Sequence, residues 1–233
     1  FIYEKVNTIE EVEKLLNESE ETKILAGGQT LIPTMKQRLA SPSTLIDISG
    51  IDELNFINDN ENSVTIGSTI THHEVSSSDI IINRIPSLAS LAEGIGDPHV
   101  RNMGTIGGSI ANNDPTADYP TACLSLNAKI KTNNREINAE DFFIGLFETA
   151  LEENEIVVSI EFNIPKKSSY MKFPNPASRY AMAGVYVSVF DDAVNVAVTG
   201  ASENGVFKWT EMEEVLSSNL SLESAKNIKL GSD

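Results

Sequence analysis

Residues 101–120, RNMGTIGGSIANNDPTADYP, combine three glycines with a single basic residue. Glycine permits positive φ angles and lets the backbone come close to a ligand. Successive backbone N–H groups in such a turn can hold an anion, and the dipole of a following helix adds to the attraction. Residues 24–33, ILAGGQTLIP, repeat this design where a strand breaks into Gly27-Gly28. The two stretches predict backbone loops that hold a diphosphate, the alternative being that each Gly-Gly pair only makes a tight turn.

Neither stretch matches a known phosphate-binding signature by spacing. The sequence contains no GxxxxGK[ST] pattern, which argues against a P-loop. Gly94-Ile95-Gly96 follows a predicted helix rather than a strand and lacks the third glycine of a dinucleotide-binding fingerprint. The two glycine stretches therefore have to be understood from their own chemistry.

The composition is that of a globular protein with an acidic surface. The 233 residues carry a formal net charge of −17, with 40% hydrophobic and 22% charged residues. Such a charge repels nucleic acid and anionic membrane, so neither is an expected partner. No apolar run approaches the ~18 residues of a membrane span, and no secretory signal pattern opens the sequence. A cytoplasmic location is expected, and the single cysteine, Cys123, is interpreted as a small buried hydrophobic residue.

The first fifty residues predict a small parallel βαβ unit, because helix and strand patterns alternate in them. Thr8-Ile9-Glu10-Glu11 is a capping-box pattern that begins a helix. Residues 23–26 predict a buried strand that ends at the Gly-Gly pair. A second helix follows with Pro33 in its first turn and with Leu31, Met35 and Leu39 on one face. Residues 45–48 predict the next strand.

The remaining sequence predicts mixed helix and strand. Residues 64–67 predict a strand, residues 85–92 a helix, and a further helix begins at Pro115 or Ala117, capped by Asp114 or Thr116, and runs to about Leu126. Residues 129–131 and 135–137 predict a hairpin across Asn133-Asn134. The alternation over 158–164 predicts a half-buried strand that ends at Pro165. Residues 166–169 are interpreted as a linker, followed by strands over 185–190 and 194–199 and a helix over about 210–217.

Candidate catalytic side chains are few. His72-His73-Glu74 has the wrong spacing for two ligands on one helix face, which argues against a metal site. His99 stands alone, and a surface or core-edge role is expected for it. No Ser, His and Asp grouping predicts a nucleophilic triad, so no catalytic residue is assigned. A cradle without a catalytic base is what we expect when a cofactor carries the chemistry.

Three segments together resemble the FAD-binding medium subunit of molybdenum hydroxylases. They are AGGQTLIPTMKQR, VRNMGTIGGSIANNDPTADYP and TALEENEIVVSIEFNIP, and the resemblance covers nearly the whole chain in order. The carbon monoxide dehydrogenase medium-subunit family is the nearest group, and the xanthine dehydrogenase FAD domain is more distant. Gln29 stands where the carbon monoxide enzymes typically carry histidine, which argues against carbon monoxide as the substrate.

The resemblance implies an α+β fold of the p-cresol methylhydroxylase or vanillyl-alcohol-oxidase type. Residues 1–165 would form the FAD-binding domain, divided into a small parallel βαβ subdomain over about 1–52 and an antiparallel subdomain over 53–165. Residues 166–233 would form a small α+β C-terminal domain with three antiparallel strands and helices. That domain is short relative to the family.

The resemblance also implies the residues that bind FAD, which would be held non-covalently. The first glycine stretch would wrap the diphosphate and ribityl chain, the second would form another diphosphate loop, and Asp118 would bind an FAD hydroxyl. Val157 would lie against the adenine, Lys172 near the flavin ring, and Tyr180 on one isoalloxazine face, the alternatives being a solvated strand residue for Lys172 and ordinary core for Tyr180. The residues of the two stretches are Leu25, Ala26, Gly27, Gly28, Gln29, Thr30, Leu31, Thr105, Ile106, Gly107, Gly108, Ser109 and Asn112.

The implied function is electron transfer by an oxidoreductase subunit in a heteromeric complex. Electrons would come from [2Fe–2S] clusters on a small iron–sulfur subunit, which receives them from a large molybdopterin subunit, and would leave the FAD for an external acceptor. The single cysteine of this sequence cannot ligate a cluster, so those cofactors are expected on partner subunits. Two alternatives stay open: a free-standing FAD-dependent oxidoreductase on the same fold, and an assembly subunit that has lost FAD.

Overall fold

The computed structural model describes residues 1–19, 21–226 and 228–231, and it begins with a small parallel sheet. The three strands have the order β1-β3-β2, and both pairs are parallel. The elements are β1 (Ile2–Lys5), α1 (Ile9–Leu16), β2 (Thr22–Leu25), α2 (Leu31–Lys36) and β3 (Thr44–Asp47). The predicted parallel βαβ unit is therefore confirmed, with β1 as an additional edge strand that the sequence patterns did not predict.

The second part contains a five-stranded antiparallel sheet in the order β4-β5-β10-β6-β7, a separate two-stranded sheet of β8 and β9, and the helices around them. A single 3-10 turn (Asp52–Leu54) leads into it, and its elements are β4 (Ile57–Asp59), β5 (Ser63–Gly67), α3 (His72–Ser77), α4 (Asp79–Arg84), α5 (Pro86–Glu93), α6 (Pro98–Arg101), α7 (Ile106–Asn112), α8 (Tyr119–Ser125), β6 (Lys129–Thr132), β7 (Glu136–Asn138), α9 (Ala139–Phe142), β8 (Phe143–Gly145), β9 (Glu148–Thr149) and β10 (Val157–Asn163). The hairpin predicted across Asn133-Asn134 is confirmed as β6 and β7.

The last part is a four-stranded antiparallel sheet in the order β11-β12-β13-β14, with two helices. Its elements are β11 (Lys167–Pro174), β12 (Ala181–Val189), β13 (Val194–Thr199), β14 (Phe207–Lys208), α10 (Thr210–Ser218) and α11 (Leu222–Ala225). Met212 and Leu216 of α10 pack on Val194 and Val196 of β13. No helix of the described residues has the length and apolar character that crossing a bilayer requires.

The last sheet is joined to the helices of the second part by buried polar contacts. Tyr186 belongs to the main hydrophobic core, and its hydroxyl hydrogen-bonds with Ser87 of α5. The Thr199 hydroxyl donates to the carbonyl oxygens of Pro115 and Ala117. These contacts fix the segment before α8 against β13. The division of the chain at residue 165 stays a prediction, because no boundary between folding units follows from these contacts.

Three details differ from the sequence predictions. The linker predicted over 166–169 is wrong, because β11 begins at Lys167 and pairs with β12. Leu39 does not continue the face of α2, because the helix ends at Lys36, Arg38 adopts a φ of 62° and Leu39 is exposed. The predicted start of α8 is too early, because the Asp114 carboxylate binds the N–H and hydroxyl of Thr116 in a separate turn. The helix begins at Tyr119 instead.

Burial also differs for two strands. β2 is not a buried strand: Lys23 is exposed and Ile24 and Leu25 are half-buried, because a cavity lies on that side of the small sheet. β10 is more buried than a half-buried strand, because it lies between two hydrophobic clusters, one that contains Ile160 and one that contains Val158. The interior position of β10 gives the cavity a fixed wall.

Candidate functional site

A cavity of about 730 Å³ brings together the two glycine stretches. This volume falls in the range of ligand and cofactor sites, about 300–1,000 Å³. The wall is built from segments of all three parts of the fold. These segments include residues 22–31, residues 104–118, residues 151–157 and residues 178–180. A site that draws on four separate segments can contact a long ligand along its whole length.

The first glycine loop, defined as residues 26–31, lines this cavity with backbone that has unpartnered N–H groups. Among the described residues, the N–H groups from Ala26 to Leu31 donate no hydrogen bond, and the next N–H, that of Ile32, donates to the Gly28 carbonyl oxygen at 3.0 Å. Gly28 has a φ of 67°, the left-handed region that glycine adopts without strain. Unpartnered N–H donors in a loop that lines a cavity are suited to hold an anion.

The second glycine loop, defined as residues 105–109, is built differently although its sequence is similar. The N–H of Ile106 donates to Ile70 O at 3.0 Å, and that of Gly107 donates to Ser68 O at 2.9 Å. The N–H of Gly108 donates to Thr105 Oγ1 at 3.1 Å, and that of Ser109 donates to Thr105 O at 3.0 Å. Thr105 is the N-cap of α7. The loop therefore already uses these four donors within the protein.

The glycines of the two loops allow backbone segments to touch. A Cβ on Gly27 would lie 2.1 Å from Met103 O and 2.7 Å from Gly104 Cα. A Cβ on Gly107 would lie 2.4 Å from Ser68 Cβ. Gly27 thus lets the first loop touch the segment just before the second loop, whereas Gly107 lets α7 pack on Ser68 after the end of β5.

Asp118 lies on the cavity wall with a buried counter-ion. Its Oδ2 is 2.9 Å from Lys172 Nζ, and its Oδ1 accepts from the hydroxyl of Tyr170. Lys172 Nζ also donates to Gly94 O at 3.1 Å. Burial raises the pKa of the Asp118 carboxyl, and the neighbouring Lys172 and Tyr170 oppose that shift. Each carboxylate oxygen accepts more than one hydrogen bond, so Asp118 keeps acceptor capacity for a ligand hydroxyl.

Tyr180 lies at the mouth of the cavity on the loop between β11 and β12. The loop is closed by hydrogen bonds from Asn175 N to Tyr180 O at 2.8 Å and from Arg179 N to Asn175 O at 2.9 Å. The Arg179 guanidinium donates to Gly96 O at 3.2 Å, which ties this loop to the segment before α6. Tyr180 is 46% exposed as a whole residue and lines the cavity, so it is accessible to a flat ligand.

Another part of the wall is held by a charged network behind Val157. The Glu155 carboxylate accepts from Arg135 Nε at 2.9 Å and from the Thr132 hydroxyl at 2.6 Å. Its second oxygen accepts from Glu152 N at 3.0 Å. These bonds, led by that from Arg135, lower the pKa of Glu155 to about 2 against the effect of burial. The network fixes residues 152–157, so Val157 presents a rigid apolar surface to the cavity.

Most of the residues implied by the resemblance line this cavity. Two do not: Ile106 is fully buried in the main core, and Lys172 does not line the cavity itself but contacts Asp118, which does. The residues on the wall are Leu25, Ala26, Gly27, Gly28, Gln29, Thr30, Leu31, Thr105, Gly107, Gly108, Ser109, Asn112, Asp118, Val157 and Tyr180. Their roles toward a ligand stay predictions.

The sequence patterns missed several wall residues. Ser68 and His72 follow β5 and lie under the second glycine loop, and Arg179 flanks Tyr180. In the sequence, His72 is visible only as half of a His-His pair whose spacing argues against a metal site. The structure separates the two adjacent histidines, because His72 is buried and His73 is exposed. No local sequence signal marks Ser68 or His72, because both reach the cavity through contacts with residues 104 and 107 that are distant in the chain.

These features fit FAD better than a smaller ligand. A loop with unpartnered N–H groups suits a diphosphate, a rigid apolar wall suits an adenine, and an exposed tyrosine ring suits an isoalloxazine. The carboxylate of Asp118 adds an acceptor for a hydroxyl. All four features belong to one continuous cavity.

Comparison with known proteins agrees with this geometry. Residues 1–167 match the family of FAD binding domains in molybdopterin dehydrogenase. The glyceraldehyde dehydrogenase medium chain of Sulfolobus acidocaldarius is 38% identical over 195 residues, which cover 81% of this chain and 69% of that protein. The carbon monoxide dehydrogenase medium chain of Hydrogenophaga pseudoflava is 37% identical over 80% of this chain and 68% of that protein.

The fold agrees as well. A solved structure of carbon monoxide dehydrogenase from Hydrogenophaga pseudoflava, which lacks the Mo-pyranopterin moiety of its cofactor, superposes with a TM-score of 0.83 at 34% identity. The match covers 89% of this chain and 77% of that one. The α+β FAD-binding fold is therefore confirmed. The chain belongs to the FAD-binding medium subunits of molybdenum-dependent hydroxylases and dehydrogenases.

Proposed function

We propose that the chain holds FAD non-covalently in this cavity and relays electrons from iron–sulfur clusters on a partner subunit to an external acceptor. The observation that carries the proposal is the first glycine loop, whose unpartnered N–H groups line a cavity of about 730 Å³. The family to which the chain belongs supports FAD as the ligand. FAD, when bound, exchanges electrons, and the protein positions and tunes it.

Each part of the wall has a separate role in this proposal. The first glycine loop holds the diphosphate by N–H donors, each contributing about 1.5–3 kcal/mol when the acceptor is charged. Asp118 accepts a hydrogen bond from an FAD hydroxyl, and Lys172 holds that carboxylate in place and opposes the effect of burial on its pKa. Val157 packs on the adenine, and Tyr180 covers one face of the isoalloxazine. In this proposal Lys172 acts through Asp118. Its ammonium group pairs with that carboxylate and is not assigned a contact with the flavin ring.

The relay depends on partners. The one cysteine, Cys123, is fully buried in α8, and burial raises the pKa of its thiol, so this chain offers no thiolate ligands for a cluster. Several relatives are named as medium chains or medium subunits of dehydrogenases and hydroxylases, names that imply an assembly of unequal subunits. We therefore place the molybdopterin on a large partner subunit and the [2Fe–2S] clusters on a small one.

The binding part is tested by the visible absorption spectrum of the purified chain after FAD is added and the sample is desalted. We expect a retained flavin spectrum for the wild type. Gly28→Ala places a side chain in a left-handed conformation inside the first loop, and we expect FAD affinity to fall about tenfold, or about 1.4 kcal/mol. Gly205→Ala is the matched control, because Gly205 has a φ of 93° and lies outside the cavity wall.

The relay part is tested separately by reduction of the bound flavin. A relay subunit should show no reduction by aldehyde or N-heterocyclic substrates when isolated, and rapid reduction by the same substrates once molybdopterin and iron–sulfur subunits are added. Substrate-dependent reduction of the isolated chain would instead support a free-standing oxidoreductase. A folded chain that retains no FAD would support an assembly subunit that has lost the cofactor.

A further inference from the structure

Buried polar atoms without partners lie under the second glycine loop. Among the described residues, Ser68 Oγ and His72 Nδ1 are fully buried and have no hydrogen-bond partner. Ser68 and His72 both line the cavity and are only 3% and 5% exposed. An unpartnered buried polar group costs about 1–3 kcal/mol, so a structure that keeps one at a ligand cavity calls for an explanation.

His72 is held rigidly next to the point where the two loops meet. It is the first residue of α3, which begins with a complete capping box formed by Thr71 and Glu74. Its backbone N–H donates to Gly104 O at 2.9 Å, and a Cβ on Gly104 would lie 2.7 Å from His72 Nε2. Gly104 in turn contacts Gly27 of the first loop. The backbone at Gly104 therefore lies between the His72 ring and the first loop, whose N–H groups are unpartnered.

The two nitrogens of the imidazole have different surroundings. Nδ1 is fully buried, whereas Nε2 makes no hydrogen bond among the described residues and is not one of the fully buried atoms. Burial, together with the charge of Arg101, lowers the pKa of His72 to about 4, so the ring is neutral at pH 7. A neutral imidazole carries one N–H. A hydrogen on Nε2 leaves the buried Nδ1 as a bare acceptor and gives the cavity a donor.

We propose that His72 donates a hydrogen bond from Nε2 to a phosphate oxygen of FAD, and so adds a donor beside the second glycine loop, whose N–H groups at residues 106–109 are engaged within the protein. The proposal rests on the proposed FAD site and adds to it a residue outside both glycine stretches. It follows from the engaged N–H groups of residues 106–109, from the contact of Nε2 with Gly104, and from the place of His72 on the cavity wall.

The test measures the affinities of FAD, ADP and riboflavin by equilibrium dialysis with the wild type, His72→Leu and His72→Gln. Leucine removes the donor, and glutamine places an amide N–H near the position of Nε2. A hydrogen bond to a charged group is worth about 1.5–3 kcal/mol, so we expect His72→Leu to weaken FAD and ADP roughly 10- to 150-fold. We expect His72→Gln to restore most of that loss and riboflavin affinity to be unchanged in both variants.

His73→Leu is the matched control, because it makes the same change one residue later on an exposed side chain. Equal loss of FAD, ADP and riboflavin in His72→Leu would overturn the proposal and indicate a packing role. FAD and ADP affinities equal to those of the wild type would overturn it as well. If the wild type itself binds neither FAD nor ADP, both this proposal and the proposed FAD site fail. If the wild type binds them and His72→Leu binds them equally well, only the role of His72 is overturned.

A second readout observes the His72 ring of the wild type directly and uses a variant only to assign its signals. The chain has three histidines, so ¹⁵N NMR of the imidazoles can be assigned by comparison with His72→Gln. We expect the Nε2–H tautomer for His72 between pH 6 and 8, and a downfield shift of that proton when ADP is added. An Nδ1–H tautomer that ADP does not perturb would overturn the proposal.

Discussion

The two glycine loops share a motif but differ in how they use their backbone. In the first loop the N–H groups from Ala26 to Leu31 have no partner among the described residues and line the cavity. In the second loop the N–H groups from Ile106 to Ser109 are all engaged, two of them by the strand end at Ser68 and Ile70. A Gly-Gly pair therefore predicts that the backbone comes close to another group, which can be a ligand or another part of the chain.

The contacts around each glycine explain this contrast. Gly28 needs its left-handed φ to turn the first loop around the cavity. Gly107 has ordinary helical geometry and needs only the absence of a Cβ, because Ser68 lies directly against it. The first loop keeps unpartnered N–H groups at the cavity, and the second is engaged in contacts that pack α7 on Ser68.

The strongest test of the packing role is Gly107→Ala. The added Cβ would lie 2.4 Å from Ser68 Cβ and 2.6 Å from Ser68 O, and backbone atoms cannot move aside easily. Overpacking of this kind costs about 3 kcal/mol, and we expect the free energy of unfolding to fall by that amount in urea titrations.

Gly108→Ala is the matched control for that variant. Its Cβ would come within 3.4 Å only of Thr105 Oγ1, at 3.0 Å, and alanine favours a helix by about 1 kcal/mol over glycine. We expect its stability to stay within about 1 kcal/mol of the wild type. Equal losses in the two variants would contradict the packing role of Gly107.

Amide hydrogen exchange tests the contrast directly. Without FAD, we expect residues 26–31 to exchange at least on the order of a hundredfold faster than residues 106–109, since the first set lacks hydrogen bonds and the second set has them. Adding FAD should protect the first set and change the second set little beyond global stabilisation. FAD-dependent protection of equal size in both loops would show that the second loop also holds the ligand through its backbone.

The sequence predicted the general fold well because the relevant signals are local. The capping residues of α1, the break of β2 at Gly27-Gly28 and the turn at Asn133-Asn134 depend only on neighbouring residues. The errors at residues 166–169 and at the start of α8 have a different origin. Ser168 is extended because β12 pairs with it, and Asp118 occupies the N-cap of α8 without capping it, because its carboxylate is engaged by Lys172 and Tyr170.

The outline of the candidate site was predicted because the glycine stretches are also local signals. The glycine stretches are visible in the sequence, but the partner of each N–H is not, because Ser68 O and Ile70 O reach the second loop only after the fold has formed. The role of His72 was also hidden, since the sequence shows a His-His pair and the structure buries only one of the two rings. Long-range contacts thus decide which loop is free to bind.

The wall opposite the glycine loops is expected to respond to pH through Glu155. Its pKa is lowered from 4.5 to about 2, so its ionised form stabilises the fold above pH 4.5 and this contribution is lost as the pH falls toward 2. We expect Glu155→Gln to lower the free energy of unfolding by about 1–2 kcal/mol at pH 7. This value is discounted for solvent screening of the ion pair, because Arg135 is 44% exposed.

The measurement is urea unfolding of both proteins at several pH values, with Glu152→Gln as the matched control. Glu152 lies 3.5 Å from the same Arg135 but is 70% exposed, so its loss should cost less than about 0.5 kcal/mol. The difference between wild type and Glu155→Gln should shrink below pH 4.5. A difference that stays constant down to pH 3 would contradict a role for the ionised carboxylate.

The smallest expected effect separates capping from binding in the second loop. Thr105→Val keeps the shape of the side chain but removes the oxygen that accepts from Gly108 N–H at 3.1 Å. Loss of an N-cap costs about 1 kcal/mol, which thermal unfolding can detect. Thr30→Val is the control, because Thr30 is the N-cap of α2 but makes no side-chain cap hydrogen bond, and we expect its cost to stay below about 0.5 kcal/mol.

The FAD affinity of Thr105→Val then decides between two views of the loop. The substitution frees the N–H of Gly108, which lines the cavity. If the second loop serves packing, stability falls while FAD affinity, measured by fluorescence titration, stays the same. If the second loop instead holds the phosphate through its backbone, as proposed for the first loop, the freed donor should tighten FAD binding. The two loops would then differ only in how strongly the protein competes with the ligand for their N–H groups.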